Sequence, residues 1–109
     1  MSLIGKISSF RLQAEWRAPL LDAMRDLHAY VEAEEPGTIV FLVHSDQEKP
    51  DTIWLYSVFA DEESRLRHHS STAYAKLTDL LPQVTSAVEE TNLLVIENKG
   101  LGGGEGTPS

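Results

Sequence analysis

The sequence predicts an α+β domain in which an antiparallel sheet of four strands carries helices on one face. Two runs rich in β-branched and aromatic residues, Thr38–His44 and Thr52–Phe59, flank the polar turn Ser45–Asp51, as in a pair of adjacent strands. A helical pattern and a further strand lie on each side of this pair. The order βαββαβ on one sheet is the ferredoxin-like plan, and right-handed connections place both helices on the same face.

Composition limits the classes of function. The 109 residues suit a single domain, their formal net charge is −8, and they include no cysteine. Disulfides, cysteine metal sites and a thiol nucleophile are therefore excluded. The negative charge disfavours nucleic acid, and no apolar stretch of about 20 residues could span a membrane. With no signal peptide in Met1–Phe10, we expect a cytoplasmic protein without nucleic-acid or membrane partners.

The first strand and first helix follow from periodicity. Ile4–Gln13 is predicted as a strand because Ile4, Phe10 and Leu12 share one alternating set, with Lys6 and Ser8 between them. Leu20–Ala33 is predicted as a helix after Pro19, with apolar residues at the helical period. Glu35-Pro36-Gly37 ends this helix. The carboxylates at its end, Glu35 included, are expected to form a solvated acidic face.

Strands two and three are apolar on both faces. Neither alternates cleanly between apolar and polar residues, so both faces of the sheet are expected to be covered. Helices can cover only one face in a chain of this length. A second copy of the chain is predicted to cover the other, giving a homodimer through the sheet faces.

The second helical region begins at Asp61, a good N-cap. An apolar stripe continues from Leu66 to Val84, and Ser70-Ser71-Thr72 is a candidate break because hydroxyls compete for backbone groups. Pro82 is expected to open a last short turn. Asn92–Glu97 is predicted as the fourth strand. A domain over residues 1–99 is then followed by a flexible, glycine-rich tail over residues 100–109.

Three local motifs resemble the antibiotic biosynthesis monooxygenase superfamily of dimeric α/β barrels. Glu35-Pro36-Gly37-Thr38 is similar to the family's turn into strand two, and the segment Leu55–Asp61 resembles its third strand running into a helix cap. His68, followed by Ser71 and Tyr74, resembles its helical histidine segment. With the element order, the resemblance covers about residues 4–97.

The resemblance implies a cofactor-independent monooxygenase, needing neither metal nor flavin, that acts with dioxygen on a small quinol-like or polyketide-like aromatic. His68 would be the general base, since histidine titrates near neutral pH. His69 is the alternative, because the phase of one unbroken helix turns His69, rather than His68, toward the apolar stripe. The candidate substrate-binding residues are Trp54, Tyr56, Ser57, His44 and Tyr74.

Two positions depart from the family pattern. Ser57 stands where members often carry glutamate, and Ala73 stands where they often carry a second histidine. These departures favour one alternative, a non-catalytic small-molecule-binding or dimerisation module of the same fold. A second alternative is a haem-binding or haem-degrading relative with a helix histidine as axial ligand.

Overall fold

The computed structural model describes residues 3–101 and has the predicted α+β architecture. In chain order the elements are β1 (Ile4–Leu12), α1 (Arg17–Glu34), β2 (Thr38–Ser45), β3 (Thr52–Phe59), α2 (Glu62–His69), α3 (Thr72–Val84) and β4 (Thr85–Leu94). The strands lie in the order β2-β3-β1-β4, each antiparallel to its neighbours. This arrangement confirms the ferredoxin-like fold.

The helix α1 buries the stripe that its periodicity predicts. Leu20, Met24, Leu27 and Val31 are all buried. The helix starts at Arg17, after a short 3-10 turn, and so accommodates Pro19 in its first turn, where the missing N–H of proline has no helical partner to lose.

The second helical region is two helices rather than one. Asp61 caps α2 by accepting a hydrogen bond from the Ser64 N–H at 2.8 Å. The helix is interrupted at Ser70–Ser71. The Ser71 hydroxyl caps α3 by accepting a hydrogen bond from the Tyr74 N–H at 3.0 Å. Because α2 has its own orientation, Leu66 does not join the apolar stripe and is 54% exposed.

Two predictions at the end of the chain are wrong. The fourth strand covers Thr85–Leu94 rather than Asn92–Glu97, and Pro82 lies in the last turn of α3 rather than opening a separate turn. The strand pairs with β1 alone, at the sheet edge. An edge strand whose side chains are mostly exposed does not need apolar residues, so its polar first half gave no strand signal.

The core lies between the helices and one face of the sheet. Phe10 and Leu12 of β1, with Ile53 and Leu55 of β3, pack against the buried side chains of α1 and α3. The other sheet face, hereafter the open face, carries no helix. On this face Leu42 of β2, Tyr56 of β3 and Ile7 of β1 lie side by side.

Among the described residues, no helix is long and apolar enough to cross a membrane. The predicted tail, residues 100–109, lies outside this range apart from Gly100 and Leu101.

Candidate functional site

A buried carboxylate–imidazole pair lies between the sheet and α2. Glu35 Oε1 is 2.7 Å from His68 Nδ1, and the side chains are 4% and 2% exposed. A carboxylate only accepts hydrogen bonds, so the imidazole donates from Nδ1 and the lone pair lies on Nε2. The pair therefore has the geometry of a base held in one tautomer by an acidic partner.

Pro36 turns Glu35 inward. The residue before a proline is disfavoured in the helical conformation, and Glu35 is non-helical, with φ −123° and ψ 77°, just after α1 ends. Its side chain therefore does not follow the helical phase of Glu32 and Glu34. Thr38 Oγ1 also donates to Glu35 Oε1, at 2.8 Å. The expected solvated position of Glu35 is wrong, since only 5% of the residue is exposed.

The break between α2 and α3 turns His68 inward. Ser71 Oγ donates to the His68 carbonyl at 3.0 Å while it caps α3, which fixes the kink directly after the histidine pair. Aromatic rings surround the His68 imidazole, with centroids of Phe59 at 5.2 Å and Tyr74 at 5.1 Å. The preference of an unbroken helix for His69 as the more buried residue is therefore not realised.

His69 lies in a different electrostatic setting. The Lys6 ammonium lies 3.0 Å from His69 Nε2 and 3.2 Å from the Tyr74 hydroxyl oxygen. An ammonium group only donates, so the lone pair of His69 is already occupied. Burial, and then the charge of Lys6, lower the pKa of His69 to about 4. His69 is thus neutral at neutral pH and lacks a free basic nitrogen.

Burial also lowers the pKa of His68 below its ordinary value, and the hydrogen bond and charge of Glu35 oppose this effect. The neutral imidazole is therefore the resting form at neutral pH. A proton arriving on Nε2 would create an imidazolium paired with the Glu35 carboxylate. Glu35 Oε2 is buried without a hydrogen-bond partner in the described part of the chain, so Oε1 makes the hydrogen bonds of this carboxylate.

His68, His69, Ser57 and Tyr74 line one small cavity of about 10 Å³. This volume corresponds to roughly one water molecule. The remaining lining residues are Lys6, Ser8, Phe10, Leu55, Leu77, Leu81 and Glu90. The cavity is closed toward the core by apolar side chains and bordered on its outer side by Glu90 of the edge strand.

The structure separates the predicted site residues into two groups. Ser57 and Tyr74 accompany the histidines, whereas Trp54 and Tyr56 lie on the opposite, open face of β3. The Trp54 indole donates to Asp46 Oδ2 at 2.8 Å. His44 is exposed and borders a separate groove of about 380 Å³ between α1 and β2. The structure therefore brings Ser57 and Tyr74 to His68 and places Trp54, Tyr56 and His44 elsewhere.

Sequence reasoning missed three residues of this site. Glu35 could have been found from the following proline, which takes it out of the helical phase of its acidic neighbours. Lys6 shares the parity of Ile4, Phe10 and Leu12 and so had to face the core. The sequence did not indicate Glu90, because the fourth strand was predicted to begin only at Asn92. No group of three or more metal-ligating side chains is present in residues 3–101.

A domain with this sheet topology and a buried carboxylate–imidazole pair is a small α+β protein with the features of a proton-transfer site. The family model described as antibiotic biosynthesis monooxygenase matches residues 4–79. The chain belongs to this family.

Several solved structures share the fold at low sequence identity. A protein of Caulobacter crescentus provisionally named an antibiotic biosynthesis monooxygenase is 18% identical, with 88% of this chain and 92% of that chain covered and a TM-score of 0.82. A protein of Chloroflexus aurantiacus with the same provisional name is 22% identical, with coverages of 93% and 100% and a TM-score of 0.76. At these identities the likeness concerns the fold alone. Comparison with curated proteins gives no match.

Proposed function

We propose that this protein is a cofactor-independent monooxygenase in which His68 is the general base and Glu35 orients it. The observation that carries the proposal is the buried Glu35–His68 hydrogen bond beside a small cavity that His68 lines. Family membership supports the reaction class. Glu35 also supplies the carboxylate that is missing at Ser57, because it reaches His68 from another position in the chain.

The proposed reaction begins with proton transfer. His68 Nε2 takes the hydroxyl proton of a quinol-like aromatic, and Glu35 stabilises the imidazolium that results. The low polarity around the pair strengthens this interaction compared with the same pair in water. The substrate becomes an electron-rich anion, which is the form that can give an electron to dioxygen.

The oxygenation balances without a further reductant. The anion transfers one electron to dioxygen, and the two radicals combine to form a C–O bond. The imidazolium of His68 returns its proton to the new peroxide, which gives a ring hydroperoxide. Loss of water then breaks the O–O bond and leaves a carbonyl at that carbon. In total the substrate loses two hydrogens and gains one oxygen atom, and the second oxygen leaves as water.

The size of the cavity constrains the substrate. A volume of about 10 Å³ admits a molecule the size of water or dioxygen, so an aromatic ring enters only when rim side chains such as Leu81 and Glu90 rotate outward. A single small ring needs the least opening. A haem group would need far more, so the haem-binding alternative receives less support.

The test is oxygen uptake with a panel of hydroquinones. General-base catalysis contributes about 100- to 10,000-fold, so His68→Ala should lower the rate at least about 100-fold. His69→Ala should cost much less, because its lone pair is already bound by Lys6. His28→Ala is the matched control, since His28 lies exposed on α1 and pairs with Glu32.

Three results would contradict the proposal. Wild-type protein that consumes no oxygen with any member of the panel would favour the non-catalytic binding module. An active His68→Ala variant beside an inactive His69→Ala variant would indicate that His69, rather than His68, is the base. Equal losses in His68→Ala and His28→Ala would indicate a general loss of folding rather than of a base.

We also propose that the protein is a homodimer that buries its open face. Leu42 is 47% exposed and Leu93 is 40% exposed, although both are apolar. Tyr56 and Trp54 add aromatic surface to the same face. An exposed apolar sheet face of this kind is the usual mark of an interface.

A further inference from the structure

Lys6 brings a positive charge to the cavity beside the proposed base. Its side chain is only 13% exposed. It lies on the core-facing side of β1, where Lys6 Nζ contacts His69 Nε2 at 3.0 Å and the Tyr74 hydroxyl oxygen at 3.2 Å. The ammonium also lies 5.6 Å from the centre of the Tyr74 ring. Among the described residues that line this cavity, Lys6 is the one whose side chain ends in an ammonium group.

This charge is incompletely compensated. A buried ammonium is costly unless it is paired with an anion. The ion-pair partner of Lys6 in the described structure is Glu90, whose Oε2 lies 3.5 Å away and whose side chain is 45% exposed. A partner at that distance and in contact with water neutralises the charge only in part. His69 and Tyr74 also face Lys6 and accept its hydrogen bonds. His68 lines the same cavity, and the charge of Lys6 contributes to lowering its pKa.

We propose that Lys6 is the binding group for the anionic oxygen of the substrate, and that Glu90 is the counterion this oxygen displaces. The inference rests on the proposed function, in which His68 produces a phenolate or enolate in this cavity. The Tyr74 hydroxyl accepts from Lys6 and so keeps its own proton free to donate to the same oxygen. The ligand class is therefore a phenol or enol whose ionised form is preferred. Glu90, by occupying Lys6, weakens the binding of anions.

A coloured phenol that is not a substrate tests this inference directly. The probe is 4-nitrophenol, whose ionised form absorbs visible light, titrated against pH with saturating protein. A positive charge within about 4–6 Å lowers the pKa of an acid by about 1–3 units, so the pKa of the bound probe should fall by at least about 1 unit. Lys6→Met should abolish the decrease, and Lys6→Arg should keep most of it.

Glu90→Gln should act in the opposite direction. Without its carboxylate partner, Lys6 should bind the phenolate several-fold more tightly, and the pKa of the bound probe should fall further. Lys76→Met is the control, because Lys76 is an exposed lysine of α3 outside the cavity. If Lys6→Met fails to fold, the decrease retained in Lys6→Arg and the larger decrease in Glu90→Gln still decide the matter.

The outcomes separate this inference from the proposed function. An equal decrease in the wild type and in Lys6→Met, an unchanged pKa in the wild type, or no binding of the probe would overturn the role of Lys6. An unaltered affinity in Glu90→Gln would overturn the role of Glu90. A Lys6-dependent decrease that persists in His68→Ala supports the inference, and it does so even if the wild type consumes no oxygen. Oxygen uptake that is insensitive to Lys6→Met would overturn the inference while leaving the oxygenase intact.

Discussion

Glu35 acts on His68 through one short hydrogen bond in a site shielded from water. Its carboxylate selects the tautomer of the ring and favours the charged imidazolium, whereas burial favours the neutral ring. Burial is the larger effect, so the pKa of His68 lies below its ordinary value. In the proposed reaction neutral His68 is the base, and the oxygenation rate should therefore rise with pH to a plateau that is reached below neutrality.

Replacing Glu35 tests this balance. Glu35→Gln keeps the shape of the side chain but removes its charge, and the rate should fall by about 10- to 10,000-fold. The acid limb of the pH–rate profile should move to lower pH, because the group that raises the pKa of His68 is lost. Glu34→Gln, at the exposed neighbouring position, is the control. A profile whose limb stays in place would show that Glu35 does not tune His68.

Neighbouring histidines acquire different roles because their lone pairs meet different groups. His69 accepts from Lys6, while the Nε2 atom of His68 has no hydrogen-bond partner among residues 3–101. Sequence alone could not separate them, since both are adjacent imidazoles on one short helix. The distinction depends on Lys6, which is 63 residues away from His69 along the chain.

At the scale of the elements, the site depends on how closely α2 approaches the turn after α1. A Cβ atom at Gly37 would collide with Ser64 Oγ on α2. Gly37 therefore lets α2 lie against the turn that carries Glu35, which brings His68 within hydrogen-bond distance. The glycine is required for this close approach between two segments.

Gly37→Ala should push α2 away from the turn. Relief of such a clash typically costs about 1–3 kcal/mol of stability, and the Glu35–His68 hydrogen bond should be weakened. Denaturant unfolding measures the first effect, and NMR titration of the His68 ring measures the second. Gly5→Ala is the control, since its Cβ would meet Leu93 Cβ at 3.4 Å, an ordinary contact. A Gly37→Ala variant of unchanged stability would contradict the role of this contact.

The elements that bury a continuous apolar stripe could be predicted from the sequence. The stripe of α1 and the apolar run of β3 agree with the structure because burial dictates their residues. The strand β4 was placed too late because an edge strand imposes little apolar pattern. In the site, His68 was found through family resemblance. Glu35 was missed because its orientation follows from a turn conformation, which periodicity does not report.

At the scale of the whole molecule, the open face predicts self-association. Light scattering at micromolar concentration should give twice the mass of the chain. Leu42→Glu places a charge on this face and should shift the equilibrium toward monomer, because a buried unpaired carboxylate is costly. Leu66→Glu is the matched control, since Leu66 is similarly exposed but lies on α2. A monomeric wild type, or equal effects of the two substitutions, would contradict the dimer.

The site is assembled from parts of the chain that lie far apart. Glu35 and His68 are separated by 33 residues, and Lys6 and Glu90 belong to the first and last strands. Closing such long loops costs conformational entropy that only the complete sheet offsets. A partly folded chain therefore has neither an oriented base nor a charged cavity. If the proposed function holds, the capacity to activate a substrate toward oxygen arises only with the finished topology.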